Sequence, residues 1–400
     1  MISEKMKGLV RNNSVIRQMF EEGQRLSEEF GPENVYDFSL GNPNVPPPDR
    51  VREKAVKLLE EEDACSLHGY MNNAGFPEVR SKIAENLNRR FGTAFHSGNI
   101  MMSVGAASAI NCALKAILNP GDEVITFAPF FVEYRNYVNN YDGVLVTVEP
   151  DPGSFQPRLS DFEAKISAKT KAVIINNPNN PTGVIYREET IKSIAEILTR
   201  KMRELNTEIF IISDEPYREL VYTDTKVPFI TKYYPNTMVC YSFSKSMSLP
   251  GERIGYLIVP DEAADAEELF AAATIANRVL GSVNAPSLFQ KVVAECLEEK
   301  ADISFYGKNR DTVYEALKNY GFDCVLPEGA FYLFVKSPVP DEKEFVSECK
   351  KERILLVPGS SFDCPGYVRL AYCVSHETIL RSLPGFKRVA EHYGLKGSGV

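Results

Sequence analysis

Four hundred residues is long for one small domain and short for three, so two domains sharing the chain is the expectation. With 44% hydrophobic and 25% charged residues the composition is that of an ordinary globular protein, and a net charge of -9 argues against a nucleic-acid surface, which needs concentrated Lys and Arg. Eight cysteines without a CxxC pair and four scattered histidines give no metal constellation, and the cysteines read as buried or free thiols of a reducing compartment.

The N-terminal residues Met1-Ile-Ser-Glu-Lys-Met6 hold no apolar signal-like core, and no run reaches the length of a membrane span. A cytoplasmic protein with no membrane or nucleic-acid partner is therefore expected. Val15, Ile16, Met19, Phe20 and Leu26 recur at helical spacing and predict an amphipathic helix behind an N-terminal arm. Gly41-Asn-Pro-Asn-Val-Pro-Pro-Pro48 ends regular structure, because prolines neither donate backbone hydrogen bonds nor continue a helix. From there to about 290, short and uniformly apolar runs at 100–104, 123–128, 144–148, 172–176, 209–213, 238–242 and 253–259 alternate with helical stretches. They predict buried strands of a mainly parallel sheet flanked by helices. Beyond about 290 a long helix and apolar runs at 330–335, 354–357 and 367–371 predict a smaller α+β unit. The expected fold is thus α/β, with a large domain over 46–290 and a small one built from 1–45 and 291–400.

Several strand ends carry residues suited to chemistry, as expected of doubly wound sheets. Ser103-Val-Gly105-Ala106-Ala107 lies between a strand and a helix, where backbone amides can face an anion; tight strand-to-helix packing explains it equally well. In Ala128-Pro-Phe130-Phe131 an aromatic ring can stack on a planar ligand or simply fill the core. Asn176-Asn-Pro-Asn-Asn180-Pro181-Thr-Gly183 is dense in turn formers, and a cis bond is expected before Pro181 and also before Pro129. Asp214 in Ser213-Asp-Glu-Pro-Tyr217 can pair with a protonated ring nitrogen, or cap a helix, and Tyr217 lies about one turn further on. Ser242-Phe-Ser-Lys245-Ser-Met-Ser-Leu-Pro-Gly-Glu-Arg253 offers one lysine among small hydroxyl residues and an arginine eight positions later. Small neighbours leave room for a flat ring beside an amine that forms a Schiff base, and serine hydroxyls with a guanidinium suit a phosphate.

That last string, position for position, resembles the lysine attachment pattern of the class I pyridoxal-phosphate-dependent aminotransferases, of the aspartate aminotransferase fold type, fold type I. Matches in the family's order extend from about Gly41 to Arg369. The resemblance implies a transaminase using pyridoxal 5'-phosphate held on Lys245. It would move an amino group between an L-amino acid, aspartate among the candidates, and a 2-oxo acid. It further implies that Asp214 meets the ring nitrogen, Asn180 and Tyr217 hold the ring oxygen, Phe131 stacks, and Ala106, Ala107, Ser242 and Arg253 hold the phosphate. Arg369, Gly41 and Asn180 would bind the substrate carboxylate. Tyr70, in His68-Gly-Tyr70-Met-Asn-Asn-Ala-Gly75, would reach the cofactor of a partner subunit, which requires a homodimer. No arginine suggests itself for a second substrate carboxylate, so the donor stays open. A C-S β-lyase or a non-catalytic cofactor-binding regulator could share this fold.

Overall fold

The structure, a computed structural model, describes residues 2–11 and 15–397, without the side chains of 11, 15–17 and 20. Its strands, in chain order, are β1 (Tyr36–Asp37), β2 (Ile100–Ser103), β3 (Glu123–Phe127), β4 (Val144–Val148), β5 (Thr170–Asn176), β6 (Phe210–Asp214), β7 (Thr237–Ser242), β8 (Gly255–Ile258), β9 (Tyr332–Lys336), β10 (Ile354–Leu355), β11 (Val357–Pro358) and β12 (Tyr367–Ala371).

All seven runs expected between 100 and 259 join one sheet, ordered β2-β8-β7-β6-β5-β3-β4. Every residue of β2, β6, β7 and β8 is buried, which is why these segments read as unbroken apolar runs rather than alternating ones. Helices cover both faces. Ala106–Ile117 packs Ala109, Ile110 and Ala113 beside Leu257 and Ile212, while Glu188–Leu205 sets Ile191 and Ile194 beside Val173 and Ile211. β8 alone runs antiparallel to its neighbours, β2 and β7. The carboxyl ends of β2, β3, β5, β6 and β7 consequently share one edge.

A second sheet, β11-β12-β9, is antiparallel, and β1 pairs with β10 in parallel, joining residues near the N-terminus to the C-terminal part of the chain. The single run expected at 354–357 is split: Ile354 pairs with Tyr36, whereas Val357 pairs with Arg369. The chain changes sheets across buried Leu356, a step that an uninterrupted apolar run conceals. Around these short strands lies a core of Phe38, Phe331, Leu333, Val368 and Phe386, which extends to Tyr217 in the turn after β6. The expected N-terminal helix forms over Val15–Phe30, with Leu26 buried against Val35 and Leu355 and Met19 half-buried. The side chains of Val15, Ile16 and Phe20 lie outside the described residues. Among the described residues no helix is long and apolar enough to cross a membrane.

Candidate active site

The shared strand edge brings the predicted residues together one loop at a time. β2 ends at Ser103, and Gly105, with φ at 89°, turns the chain into the Ala106–Ile117 helix. A Cβ at Gly105 would lie 3.0 Å from Arg253 Nη2. The first amides of this helix have no acceptor within it, and the helix dipole favours an anion there. β7 ends at Ser242, whose Oγ accepts from the Ser244 amide (3.2 Å) and donates to Ser244 Oγ (2.8 Å), capping the single turn Phe243–Ser246 that carries Lys245. Arg253 stands in the left-handed region at φ 52°, so the strand expected from 253 begins only at Gly255. Its Nη1 donates to the Pro250 carbonyl (3.0 Å) and its Nη2 to that of Val104 (3.3 Å), holding the guanidinium beside the helix start.

Asp214 closes β6 and is followed by a turn rather than a helix, which removes capping as its explanation. Its Oδ2 accepts from the Tyr134 hydroxyl and from Asn176 Nδ2 (3.5 Å), while Oδ1 is buried with no partner among the described residues. Burial pushes its pKa up to about 7. Lys245 Nζ donates to the Gly41 carbonyl at 2.8 Å, and burial, helped by the charges of Arg253 and Arg369, pulls its pKa down to about 8. Tyr217 shares a 2.9 Å hydroxyl–hydroxyl bond with Tyr332, and burial holds its phenol well above the usual range.

Arg369 on β12 is 2% exposed and has no carboxylate partner among the described residues. Its Nη1 donates to Asn180 Oδ1 (3.1 Å) and its Nη2 to the Ser39 carbonyl (2.5 Å), while Nε is buried without a partner among the described residues. The guanidinium also lies over the rings of Tyr332 (4.7 Å) and Phe362 (4.8 Å). A buried cation without an anion is costly, so this arrangement suits a ligand carboxylate. Phe131, not Phe130, lines the cavity; Phe130 is buried parallel to the Tyr134 ring. The bonds before Pro129 and Pro181 are cis as expected, and that before Pro178, not foreseen, is cis too.

These groups surround one cavity of about 290 Å³, lined by every predicted residue except Tyr70, which is 95% exposed. Sequence reasoning missed Leu40, Ile110, Tyr137, Asn176, Pro216, Ser244, Pro250 and Tyr332 in its wall. Tyr332 owes its place to strand register. β9 and β12 pair with Tyr332 opposite Ala371 and Phe334 opposite Arg369, so strand alternation puts Tyr332 on the same face as Arg369. A wider surface cleft of about 650 Å³ beside Lys192, Arg200 and Tyr233 is lined by exposed salt-bridged side chains such as Arg200–Glu204, and by Lys192, which pairs with Glu188.

Pyridoxal 5'-phosphate fits this donor set: an amine on Lys245, an unpartnered carboxylate oxygen for a protonated ring nitrogen, an aromatic wall, and helix-end amides with hydroxyls and a guanidinium for phosphate. A mainly parallel sheet with these groups along its carboxyl edge defines a pyridoxal-phosphate-dependent transferase of fold type I. The pattern of the class I and II aminotransferases matches residues 33–383. An aspartate aminotransferase from Thermotoga maritima is 33% identical over 354 residues, covering 88% of this chain and 90% of that one. A protein from Aquifex aeolicus named as a probable aspartate/prephenate aminotransferase is 34% identical, covering 90% and 91%. The crystal structure of an aminotransferase from Eubacterium rectale is 47% identical, covers 98% of this chain and 99% of that one, and has a TM-score of 0.96. The chain belongs to the class I and II aminotransferases. It is a pyridoxal-phosphate-dependent enzyme acting on an amino acid and a 2-oxo acid, and these relatives lend no support to a lyase or a non-catalytic binder.

Proposed function

We propose that Lys245 is the amine that carries the cofactor and moves the substrate's α-proton, with Asp214 and Tyr217 as its catalytic partners. One observation carries this reading: the unpartnered, buried Asp214 Oδ1 and the Lys245 amine share a single cavity. When bound, pyridoxal phosphate supplies an aldehyde carbon to take the amino group and a ring that withdraws electrons from the α-carbon. Asp214 would keep the ring nitrogen protonated. Asn180, whose Nδ2 has no protein partner among the described residues, and Tyr217 would donate to the ring oxygen. Phe131 would stack, and the Ala106 and Ala107 amides, Ser242 and Arg253 would hold the phosphate. Arg369, with Asn180 and the backbone at Gly41, would orient the substrate carboxylate. A lysine with a pKa near 8 yields a neutral amine close to physiological pH, which a proton-transfer base needs.

We propose further that the chain divides into 46–290 and 1–45 with 291–400, that the second part closes over substrate, and that the enzyme works as a cytoplasmic homodimer in which Tyr70 reaches the partner's cofactor. Aspartate is the first donor to test, because the Thermotoga maritima relative is named for it. Lys245, Arg253 and Arg369 already have tasks in this reading, which leaves none of these three cations for a second carboxylate.

The test is the visible absorption spectrum of the purified protein with a panel of amino acids, beside a Lys245→Ala variant. The expected result is a band that one donor converts stoichiometrically to the pyridoxamine spectrum, and a variant that lacks the lysine-bound band and turns over at least roughly a thousandfold more slowly. A variant with the wild-type band would overturn the role of Lys245, and release of pyruvate and ammonia instead of amino transfer would overturn the reaction.

A further inference from the structure

We infer that Tyr332 is a positioning residue for both halves of the site: its hydroxyl directs the Tyr217 proton into the cavity, and its ring holds the Arg369 guanidinium. The inference rests on the roles proposed above for Tyr217 and Arg369 and adds what sets them. Tyr332 opens β9 and is 2% exposed. Its hydroxyl lies 2.9 Å from that of Tyr217, and the two rings meet edge to face, with centroids 5.7 Å apart. Two hydroxyls in contact have two protons for one shared bond. If Tyr332 donates, the Tyr217 proton is left to point at an oxygen in the cavity; if Tyr217 donates, it has nothing to offer there. An electron-rich ring oxygen beside Tyr217 favours the first arrangement, because it gives that proton an acceptor.

The same side chain fixes two other components. The Arg369 guanidinium lies 4.7 Å from the Tyr332 ring centroid, with Phe362 at 4.8 Å, so aromatic faces orient a cation that no carboxylate holds among the described residues. A Cβ on Gly41 would stand 2.0 Å from the Tyr332 hydroxyl, so that hydroxyl also abuts the residue whose carbonyl accepts from Lys245. Tyr332 therefore touches the neighbours of the cofactor oxygen, the substrate carboxylate and the lysine at once.

The experiment uses holoenzyme and two readouts other than turnover: the pH titration of the visible absorption band, and the dissociation constant of maleate as a carboxylate probe, followed by absorbance. Tyr217→Phe serves as the reference. Hydrogen bonding to the ring oxygen makes the neighbouring protonated nitrogen more acidic, so losing it raises the titration midpoint. Tyr332→Phe, which keeps the ring, is expected to raise the midpoint in the same direction as Tyr217→Phe, by about half to one pH unit, and to leave maleate binding unchanged. Tyr332→Leu is expected to raise the midpoint and also to weaken maleate roughly threefold to tenfold. A midpoint that shifts in Tyr217→Phe but not in Tyr332→Phe would overturn the hydroxyl role while leaving the site reading intact. Unchanged maleate affinity in Tyr332→Leu would overturn the ring role. No shift even in Tyr217→Phe would overturn the placement of Tyr217 against the cofactor, and this inference with it.

Discussion

Asp214 is where the site works against the stability of the fold. Its carboxyl titrates near 3.8 when unconstrained and near 7 in the folded chain, because burial penalises the charge. A raised acid pKa means that the folded state binds the proton more tightly than the unfolded one across this window. Stability of cofactor-stripped protein therefore falls as pH rises from about 4 to about 7, and the loss is complete above it. Asp214→Asn removes the ionisable group, so this variant should gain roughly 2–3 kcal/mol more over wild type at pH 8 than at pH 5. Thermal or urea unfolding of the stripped proteins at both pH values measures this, and equal differences would count against it. The same substitution should weaken activity, since the neutral amide cannot keep a ring nitrogen protonated. The positions of Asp214 and Lys245 beside strand ends were legible in the sequence, and the family resemblance supplied the roles proposed for them. The Tyr134 hydroxyl on Oδ2 and the Oδ1 left without a partner among the described residues were not legible, because they depend on which side chains arrive from the Glu133–Asn140 helix after β3.

At the level of elements, two loops must approach each other for the proposed anion cradle to form. β8 begins at Gly255, where a Cβ would stand 2.3 Å from the Tyr241 carbonyl and 2.9 Å from the Gly105 Cα. Contacts with backbone cannot be relieved by rotating a side chain. Gly255→Ala should therefore destabilise the protein by about 1–3 kcal/mol and weaken cofactor retention, as the Gly105 turn and Arg253 are pushed apart. A urea midpoint and a pyridoxal phosphate dissociation constant read both effects; an unchanged affinity would separate the cradle from this packing. The strands of the large sheet were readable as apolar runs, and in β2, β6, β7 and β8 this is because both faces are covered. The division at Leu356 and the left-handed turn at Arg253 were not, since nothing in apolar content marks a change of sheet or a positive φ.

At the scale of the whole molecule, Tyr70 is the residue that its own subunit leaves unexplained. It is 95% exposed and outside the cavity, yet the family resemblance gives it a cofactor to reach. If that cofactor belongs to a partner, sedimentation should show a dimer, and Tyr70→Phe should weaken cofactor binding several-fold, a loss of about 1 kcal/mol for one hydroxyl, with unfolding unchanged. A monomer with full activity, or a Tyr70→Phe variant with unaltered affinity, would remove Tyr70 from the site.

The local order of strand, turn and helix, the placement of the lysine, aspartate and asparagine at strand ends, and the family that they mark were all carried by the chain itself. They depend on short-range patterns: apolar runs, turn formers, and the spacing between residues that act on one ligand. The cavity wall contributed by Tyr332, the anion-free burial of Arg369 and the shifted pKa values of Asp214 and Lys245 came only with the tertiary structure. Each depends on desolvation and on contacts between segments that lie far apart along the chain, from tens to some two hundred residues, and the order of residues does not show which side chains such contacts bring together.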